Sequence, residues 1–443
     1  MSAAPEPDRL FSMTTSQLQT RGTRATRDTF LDVVRAGAIL AVVAQHWTMP
    51  VLSFSGNTLA TGNALATPGW WLFTWASQVM PLIFFAGGAA NLISLRRAES
   101  TRAWFAGRVR RLLVPVLPLM AVWLVVPNLL QGMGIPPQPV QVASAIAAQL
   151  LWFLSVYLLT VLLTPLMVAA HRRWGLAVPA VLAGLGVLVD VARFSDLGLI
   201  GYANAVIVWV AVHQLGFHYV EGRLGSLTRR AALAVSAAGF GVTALLVAFG
   251  PYPASMIGMP GAPVSNMSPP TVLLLFLALG QIGFLLAFRE KLVSLPRVTA
   301  ALSWLSPRFM SIYLWHMPAL VVVSGVTVLG LGYSTPAPGS SMWFLMVPAW
   351  IAVCGAVLLG LLRLFERFET QPDGLVVTAR TPQLVLAGLL ASGGLLGLAA
   401  HGFAPLNDNL LTGPLPWVAL VAAGYALAGR QVAPSRALVP VKR

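Results

Sequence analysis

The sequence predicts an all-α fold, a polytopic bundle of helices integral to a membrane. Three observations carry that reading. Of 443 residues, 57% are hydrophobic and 9% charged, where a soluble domain carries about 25% charged residues. Mean hydropathy is +0.79. Apolar runs of about 20 residues, enough to cross a bilayer, recur along the whole chain, and Lys and Arg collect in alternate connections between them.

Twelve spans follow from the apolar runs, near residues 29–49, 70–95, 112–131, 143–168, 175–192, 199–219, 231–249, 271–288, 309–331, 342–364, 384–402 and 413–430. With the start of the chain taken as cytoplasmic, the basic residues fall on one side. Arg21, Arg24 and Arg27 precede span 1, Arg96, Arg97, Arg102, Arg108, Arg110 and Arg111 separate spans 2 and 3, and Arg172 and Arg173 follow span 4. The same side takes Arg223, Arg229, Arg230, Arg289, Lys291, Arg297, Arg308, Arg363, Arg367, Arg380 and the closing Arg430, Arg436, Lys442 and Arg443. The alternate loops 51–69, 132–142, 250–270, 332–341 and 403–412 hold no Lys or Arg, and only Arg193 breaks the pattern. Positive charge held on one side orients a membrane protein, so the net charge of +15 reads as topology rather than nucleic-acid binding, with both termini cytoplasmic.

Further bounds are compositional. The single Cys354 lies within span 10, which excludes an intrachain disulfide. Ala64-Leu65-Ala66 resembles a cleavage site, but the run before it contains Arg35 and His46 and ends too early for a signal peptide. Arg outnumbers Lys by 26 to 2, which points to a GC-rich bacterial genome and thus the bacterial cytoplasmic membrane.

The chain divides into a polar, flexible tail (1–27), a membrane domain (28–370), and a C-terminal part (371–443) of linker, membrane hairpin and short basic tail. The polar stretch 366–383 is the linker. Spans 11 and 12 have almost no polar side chains and read as an appended hairpin. Loop 250–270, rich in Pro, Gly and Met, is too apolar for a simple solvated connector and is expected to cover or line an outward-facing cleft. Pro81, Pro115, Pro118, Pro165 and Pro318 fall within spans; kinked helices around a cavity are one reading, and for any single proline the favoured one is that proline is simply commoner in transmembrane helices. The two halves show no internal repeat.

Span 1 carries the strongest chemical signal. From Asp28 to Met49 it holds Asp32, Arg35, Gln45 and His46, and charged residues inside a bilayer cost roughly 2.5–3.5 kcal/mol each on insertion scales. Arg35 and His46 are eleven positions apart, three turns plus about 20°, so they share one face about 16 Å apart along the axis. A neutral imidazole at His46 suits a general base, and a packing histidine near the outer interface is the other reading. Arg35 needs a counter-charge, which Asp32 at i−3 supplies. A closed pair and a pair that also meets a polar substrate are both compatible with this.

Three further places bear on function. His316 is placed about 12 Å into span 9, at the depth of Arg35, and reads either as a buried histidine beside Pro318 or as a direct participant. Arg108 and Arg111, three apart before span 3, share a face and suit phosphate recognition, although basic loops on this side are expected anyway. Trp152-Phe153-Leu154 is apolar lining or core, and His213 and His218 are expected to reach the interface from the inner end of span 6. No metal-ligand spacing, phosphate-binding glycine loop or nucleophile elbow occurs.

In order, these segments resemble the membrane-bound acyltransferase family 3. Arg35 and His46 fill its R-x₁₀-H motif, with Asp32 in the LD-x-x-R element before it. MPLIFFAGG is similar to its helix-2 segment, and Arg108 and Arg111 match its R-x-x-R. QLLWFL (149–154) and SIYLWHMP around His316 are similar to two later elements. The likeness spans roughly residues 28–370, about ten helices, leaving about two additional C-terminal ones. It implies His46, Arg35, Asp32 and His316 as catalytic candidates and Arg108, Arg111 and Trp152 as donor-binding candidates. Acyl-CoA would serve as donor substrate from the cytoplasm, with no tightly bound cofactor or metal. Its pantetheine arm is comparable in length to the Arg35–His46 separation, so the thioester would reach His46 for transfer, as acetyl or another short acyl group, to a hydroxyl. The implied acceptor is an envelope glycan, a lipid or a related small molecule. Ala86-Gly87-Gly88 departs from the family's Ser-Gly and leaves that serine's role unfilled. A transporter or lipid flippase is the alternative, since twelve spans with few buried charges also suit a carrier.

Overall fold

The computed structural model describes residues 28–195, 197–294, 296–369, 379–403 and 412–429. The expected N-terminal tail (1–27), the middle of the linker (370–378) and the basic C-terminal tail (430–443) lie outside the described residues.

Helices dominate because apolar backbone inside a bilayer must satisfy its own hydrogen bonds. They run α1 (Thr29–Thr48), α2 (Phe73–Ser77), α3 (Met80–Arg97), α4 (Thr101–Leu113), α5 (Val116–Gly132), α6 (Pro137–Gln149), α7 (Leu151–Trp174), α8 (Ala177–Phe194) and α9 (Asn204–Val220). Then come α10 (Arg229–Phe249), α11 (Leu273–Ala287), α12 (Arg289–Ser294), α13 (Pro296–Leu305), α14 (Phe309–Ser324), α15 (Ser341–Phe365), α16 (Thr381–His401) and α17 (Leu415–Leu427). Among the described residues, 10 helical segments are long and apolar enough to cross a membrane, and the chain is an integral membrane helix bundle. All twelve apolar runs are helical, but α11 and α17 are shorter than a span. Of the two C-terminal helices, only α16 therefore has spanning length.

Several prolines do something other than kink a span. Pro81 sits in the first turn of α3, where its missing N–H costs nothing. Pro115 caps α5, and Pro118 lies in that helix's first turn. Pro165 and Pro318 are interior, and so are Pro127 and Pro348.

α1 occupies a central position, packing on α3, α12, α13, α14 and α15. The tightest neighbour of α3 is α9, because glycines let their backbones meet. A Cβ on Gly88 would lie 2.0 Å from the His213 carbonyl oxygen, and one on Gly216 would lie 2.2 Å from that of Phe85. Close packing of this kind replaces the hydrophobic drive that lipid tails remove. Phe84 stacks on Trp209 across the same seam, with ring centroids 4.7 Å apart.

The two ends of the bundle differ chemically. At the arginine-rich end, Glu221 accepts from Arg96 and, at 2.8 Å, from His171 Nε2. Glu366 takes Arg308, and Glu369 caps α14 by accepting from the amides of Met310 (2.8 Å) and Ser311 (3.0 Å). The opposite end carries a hairpin, Pro50–Ser55 with Thr58–Asn63, absent from the all-helical expectation. Gly56 and Asn57 both have positive φ, 53° and 65°, which a two-residue hairpin turn requires.

Loop 250–270 is folded against the bundle. Trp75 Nε1 donates to Ala254 O at 2.8 Å and Gln78 Nε2 to Met256 O at 2.9 Å, and Met256 is fully buried. Asp190 accepts from Tyr252 Oη (3.1 Å) and Val272 N (2.8 Å). Arg193, the one exception to the charge pattern, clamps this loop by donating to Ser265 O and Pro269 O.

The C-terminal helices are built into the bundle. α16 packs on α6 and α7, and Ser155 Oγ donates to Ser392 O at 2.8 Å. Arg110 donates to Tyr425 Oη at 3.0 Å and to Gly429 O, holding α17 against α4.

Candidate functional site

The site grows from α1. Asp28 caps the helix by accepting from Leu31 N at 3.2 Å, and its other oxygen accepts from Tyr219 Oη at 3.0 Å, which ties the start of α1 to the end of α9. One turn on, Asp32 lies 3.9 Å from Arg35. The Arg35 guanidinium sits over the Phe309 ring, 5.0 Å from its centroid. The i−3 pairing expected from spacing is present, and the aromatic contact sets Phe309 against Arg35.

Eleven residues further, His46 Nδ1 lies 2.9 Å from His316 Nε2. The rings are nearly parallel, 5° apart. His316 Nδ1 faces the carbonyl oxygens of Tyr313 (2.7 Å) and Ile312 (3.2 Å). Carbonyl oxygens only accept, so Nδ1 of His316 carries its proton and Nε2 accepts. His46 in turn donates from Nδ1, leaving its Nε2 with a lone pair and no hydrogen-bond partner among the described residues. His316 is fully buried, whereas His46 is only half-buried. A half-buried imidazole with a bare, oriented nitrogen is equipped to take a proton.

Surrounding groups hold the pair. Trp47 Nε1 donates to His316 O at 2.8 Å, and Trp350 Nε1 donates to Trp47 O at 2.8 Å. Tyr313 Oη donates to Leu150 O at 2.5 Å, pinning α14 to the joint between α6 and α7. Gln45, beside His46, buries an Oε1 with no partner.

The placement of His316 at the depth of Arg35 is corrected: it stands beside His46. The reason is where the helix begins. Its apolar run opens at Phe309, but the continuous helical segment extends back through α13, Ala300–Gly330 being one span. The residue at Arg35's level is Phe309. α1 and α14 thus run parallel, touching at Arg35–Phe309 and again at His46–His316.

Two of the donor-side candidates, Arg108 and Arg111, form a second group at the arginine-rich end. Arg108 is half-buried on α4 and donates to Ser94 Oγ (2.5 Å) and Ala90 O (3.2 Å), with its guanidinium 5.8 Å from the Trp104 ring. It lies within electrostatic reach of Arg111 and Arg35, and Tyr157 is close by. Arg111 is exposed. Like charges brought near one another repel and favour an anion between them, an effect that Asp32 beside Arg35 and Glu369 within electrostatic reach of Arg111 partly offset. Trp152 is half-buried and edge-on to Phe153, 6.2 Å between centroids, and among the described residues it makes no hydrogen bond or ring contact with the arginines. Gly87 stands under Tyr157, whose ring would lie 2.7 Å from a Cβ there, so small residues in Ala86-Gly87-Gly88 serve packing.

His213 and His218 do not reach the interface: both are buried, at 0% and 1% exposure. α9 lies between α3, α7 and α8, which leaves no water-facing side for them. His213 Nε2 is 3.1 Å from Asn91 Nδ2, and Arg108 is close enough to feel its charge. Asn91, Tyr313 and Trp350 were not singled out from the sequence. Asn91 was detectable as a lone amide in an apolar span. The other two are ordinary interfacial aromatics until their partners are known.

A family described as an acyltransferase domain matches residues 28–365 of the chain. No curated protein matches it, and no solved structure matches it.

Proposed function

The chain belongs to the membrane acyltransferase family 3, and from that premise we propose that it transfers a short acyl group from acyl-CoA to an acceptor hydroxyl, with His46 as general base. The observation that carries this reading is the hydrogen-bonded pair of His46 and His316, which commits one nitrogen of His46 to structure and leaves the other for chemistry.

In this reading the arginine-rich end faces the cytoplasm. Arg111, Arg108 and Arg35 bind the phosphates and upper arm of acyl-CoA, and the arm follows α1 over the roughly 16 Å to His46. The acceptor arrives from the opposite end. His46 Nε2 takes the hydroxyl proton, the oxygen attacks the thioester carbonyl, and a C–O bond forms. The C–S bond then breaks, and the imidazolium returns its proton to the departing thiolate. His316 is a positioning residue: its Nε2 accepts from His46 throughout and steadies the imidazolium. Envelope glycans and lipids are the proposed acceptor class, and the proposed location is the bacterial cytoplasmic membrane with both termini inside.

The test is release of free CoA from acetyl-CoA by purified protein, with and without envelope extract. His46→Ala is expected to lower acceptor-dependent release by about 10²–10⁴-fold, the range for losing a general base. Full release by that variant would remove His46 from the role.

A further inference from the structure

The turn between α7 and α8 and the segment following α9 border an open cavity of about 630 Å³ at the arginine-rich end, lined chiefly by His171, Arg172, Arg173, Trp174, Glu221 and Arg223. The acyl-transfer reading uses none of these residues. Three guanidinium groups share this wall with a single carboxylate, Glu221, which already accepts from Arg96 and His171. No carboxylate among the described residues forms an ion pair with Arg172, Arg173 or Arg223. His171 is buried at 4% exposure, and its Nδ1 has no hydrogen-bond partner. Gly175, at φ 53°, makes the turn tight, and the Arg223 guanidinium crosses it 3.6 Å from where a Cβ would stand.

The surroundings say what kind of anion fits. The cavity lies where two membrane-crossing helices end and begin, Pro137–Trp174 and Ala177–Phe194. Trp174 and Leu176 on its wall are exposed at 59% and 56%, and Leu166 and Val181 further along α7 and α8 are exposed too, an apolar flank of the kind in which Trp marks the lipid–water boundary. A soluble phosphate would use the arginines and leave that flank idle. A lipid would use both.

We propose that this cavity holds the phosphodiester headgroup of an anionic phospholipid, its acyl chains lying along α7 and α8. Basic pockets between transmembrane helices on one face bind such headgroups by charge and shape together. The proposal does not depend on the acyl-CoA reading and would survive its failure.

The full-length protein, purified in detergent, is titrated with phosphatidylglycerol or phosphatidylcholine, and bound lipid is counted by native mass spectrometry. Wild type should retain phosphatidylglycerol in preference to phosphatidylcholine. Arg172→Ala/Arg223→Ala should weaken retention about twenty-five-fold, from about fivefold per arginine near an anionic surface. Arg172→Lys/Arg223→Lys should keep most of it, which separates lost charge from lost folding. Arg229→Ala/Arg230→Ala removes two charges from the same end outside the cavity and should change it less than threefold. Equal loss in that control would make the effect general electrostatics and overturn the site, as would failure of the lysine variant. Displacement of the lipid by millimolar inorganic phosphate or by micromolar coenzyme A would assign the cavity to a soluble anion and overturn the lipid proposal.

Discussion

His46 Nδ1 and His316 Nε2 stand 2.9 Å apart, and because His316 Nδ1 is given to the Tyr313 carbonyl at 2.7 Å, the contact has a direction. The proton on His46 must sit on Nδ1, and the lone pair must sit on Nε2. A second histidine that holds the first in one tautomer does the work a carboxylate does in a Ser-His-Asp triad, without adding a buried negative charge.

His316→Ala should therefore lower kcat by about 10–10³-fold with little change in KM for acetyl-CoA, since orientation of the base is lost and donor binding is not. Its pH–rate profile should shift relative to wild type, because His46 loses its acceptor. A variant with altered KM and unaltered kcat would make His316 a donor-binding residue instead.

Arg111 is exposed beside Arg108, so its removal should cost binding rather than folding. Arg111→Ala should raise KM for acetyl-CoA about tenfold at constant kcat, the size of one lost charge-assisted contact. With a donor lacking the 3′-phosphate, the gap between wild type and variant should narrow. An unchanged KM would place the phosphates elsewhere.

Gly216 meets α3 backbone to backbone: a Cβ there would stand 2.2 Å from Phe85 O and 2.5 Å from Ala89 N. Gly216→Ala should force α9 from α3 and destabilise by about 1–3 kcal/mol, the range for overpacking. Gly241→Ala on α10 is the matched control. Nothing lies within 4 Å of its Cβ position, so it should be neutral or stabilising by up to about 1 kcal/mol. Thermal midpoints in one detergent compare them.

Glu221 gives a pH dependence. Burial pushes its carboxyl upward, but the hydrogen bonds and charges of His171 and Arg96 outweigh that and hold it below the usual carboxylate range. A lowered folded-state value stabilises above the unfolded one, about 4.3, and that stability is lost as pH falls through the folded value. Wild type should thus melt above Glu221→Gln at pH 7, and the two should converge once the pH falls below the lowered folded-state value. A constant offset across that range would mean the carboxylate contributes packing alone.

Much of this molecule is written locally. Apolar runs mark twelve helices because burial in lipid is decided residue by residue through transfer energy, and ten have spanning length. The Asp32–Arg35 pair was legible because three positions on a helix bring side chains together. The hairpin at Gly56-Asn57 was also signalled, by a residue pair suited to positive φ, and was overlooked within a loop read only for charge.

The rest belongs to tertiary structure. His46 and His316 are 270 residues apart, and neither periodicity nor spacing relates them. The depth of His316 was misread because apolar length does not show where a helix begins inside a longer helical segment. His213 and His218 looked interfacial by position, but α9 is surrounded by α3, α7 and α8, and they are buried. By itself the sequence determined the membrane class, the spans and a helix with two polar stations, all properties of neighbours along the chain. Only the packing of α14 against α1 decided which nitrogen of His46 is left open, because a hydrogen bond's direction depends on partners that folding alone brings within 3 Å.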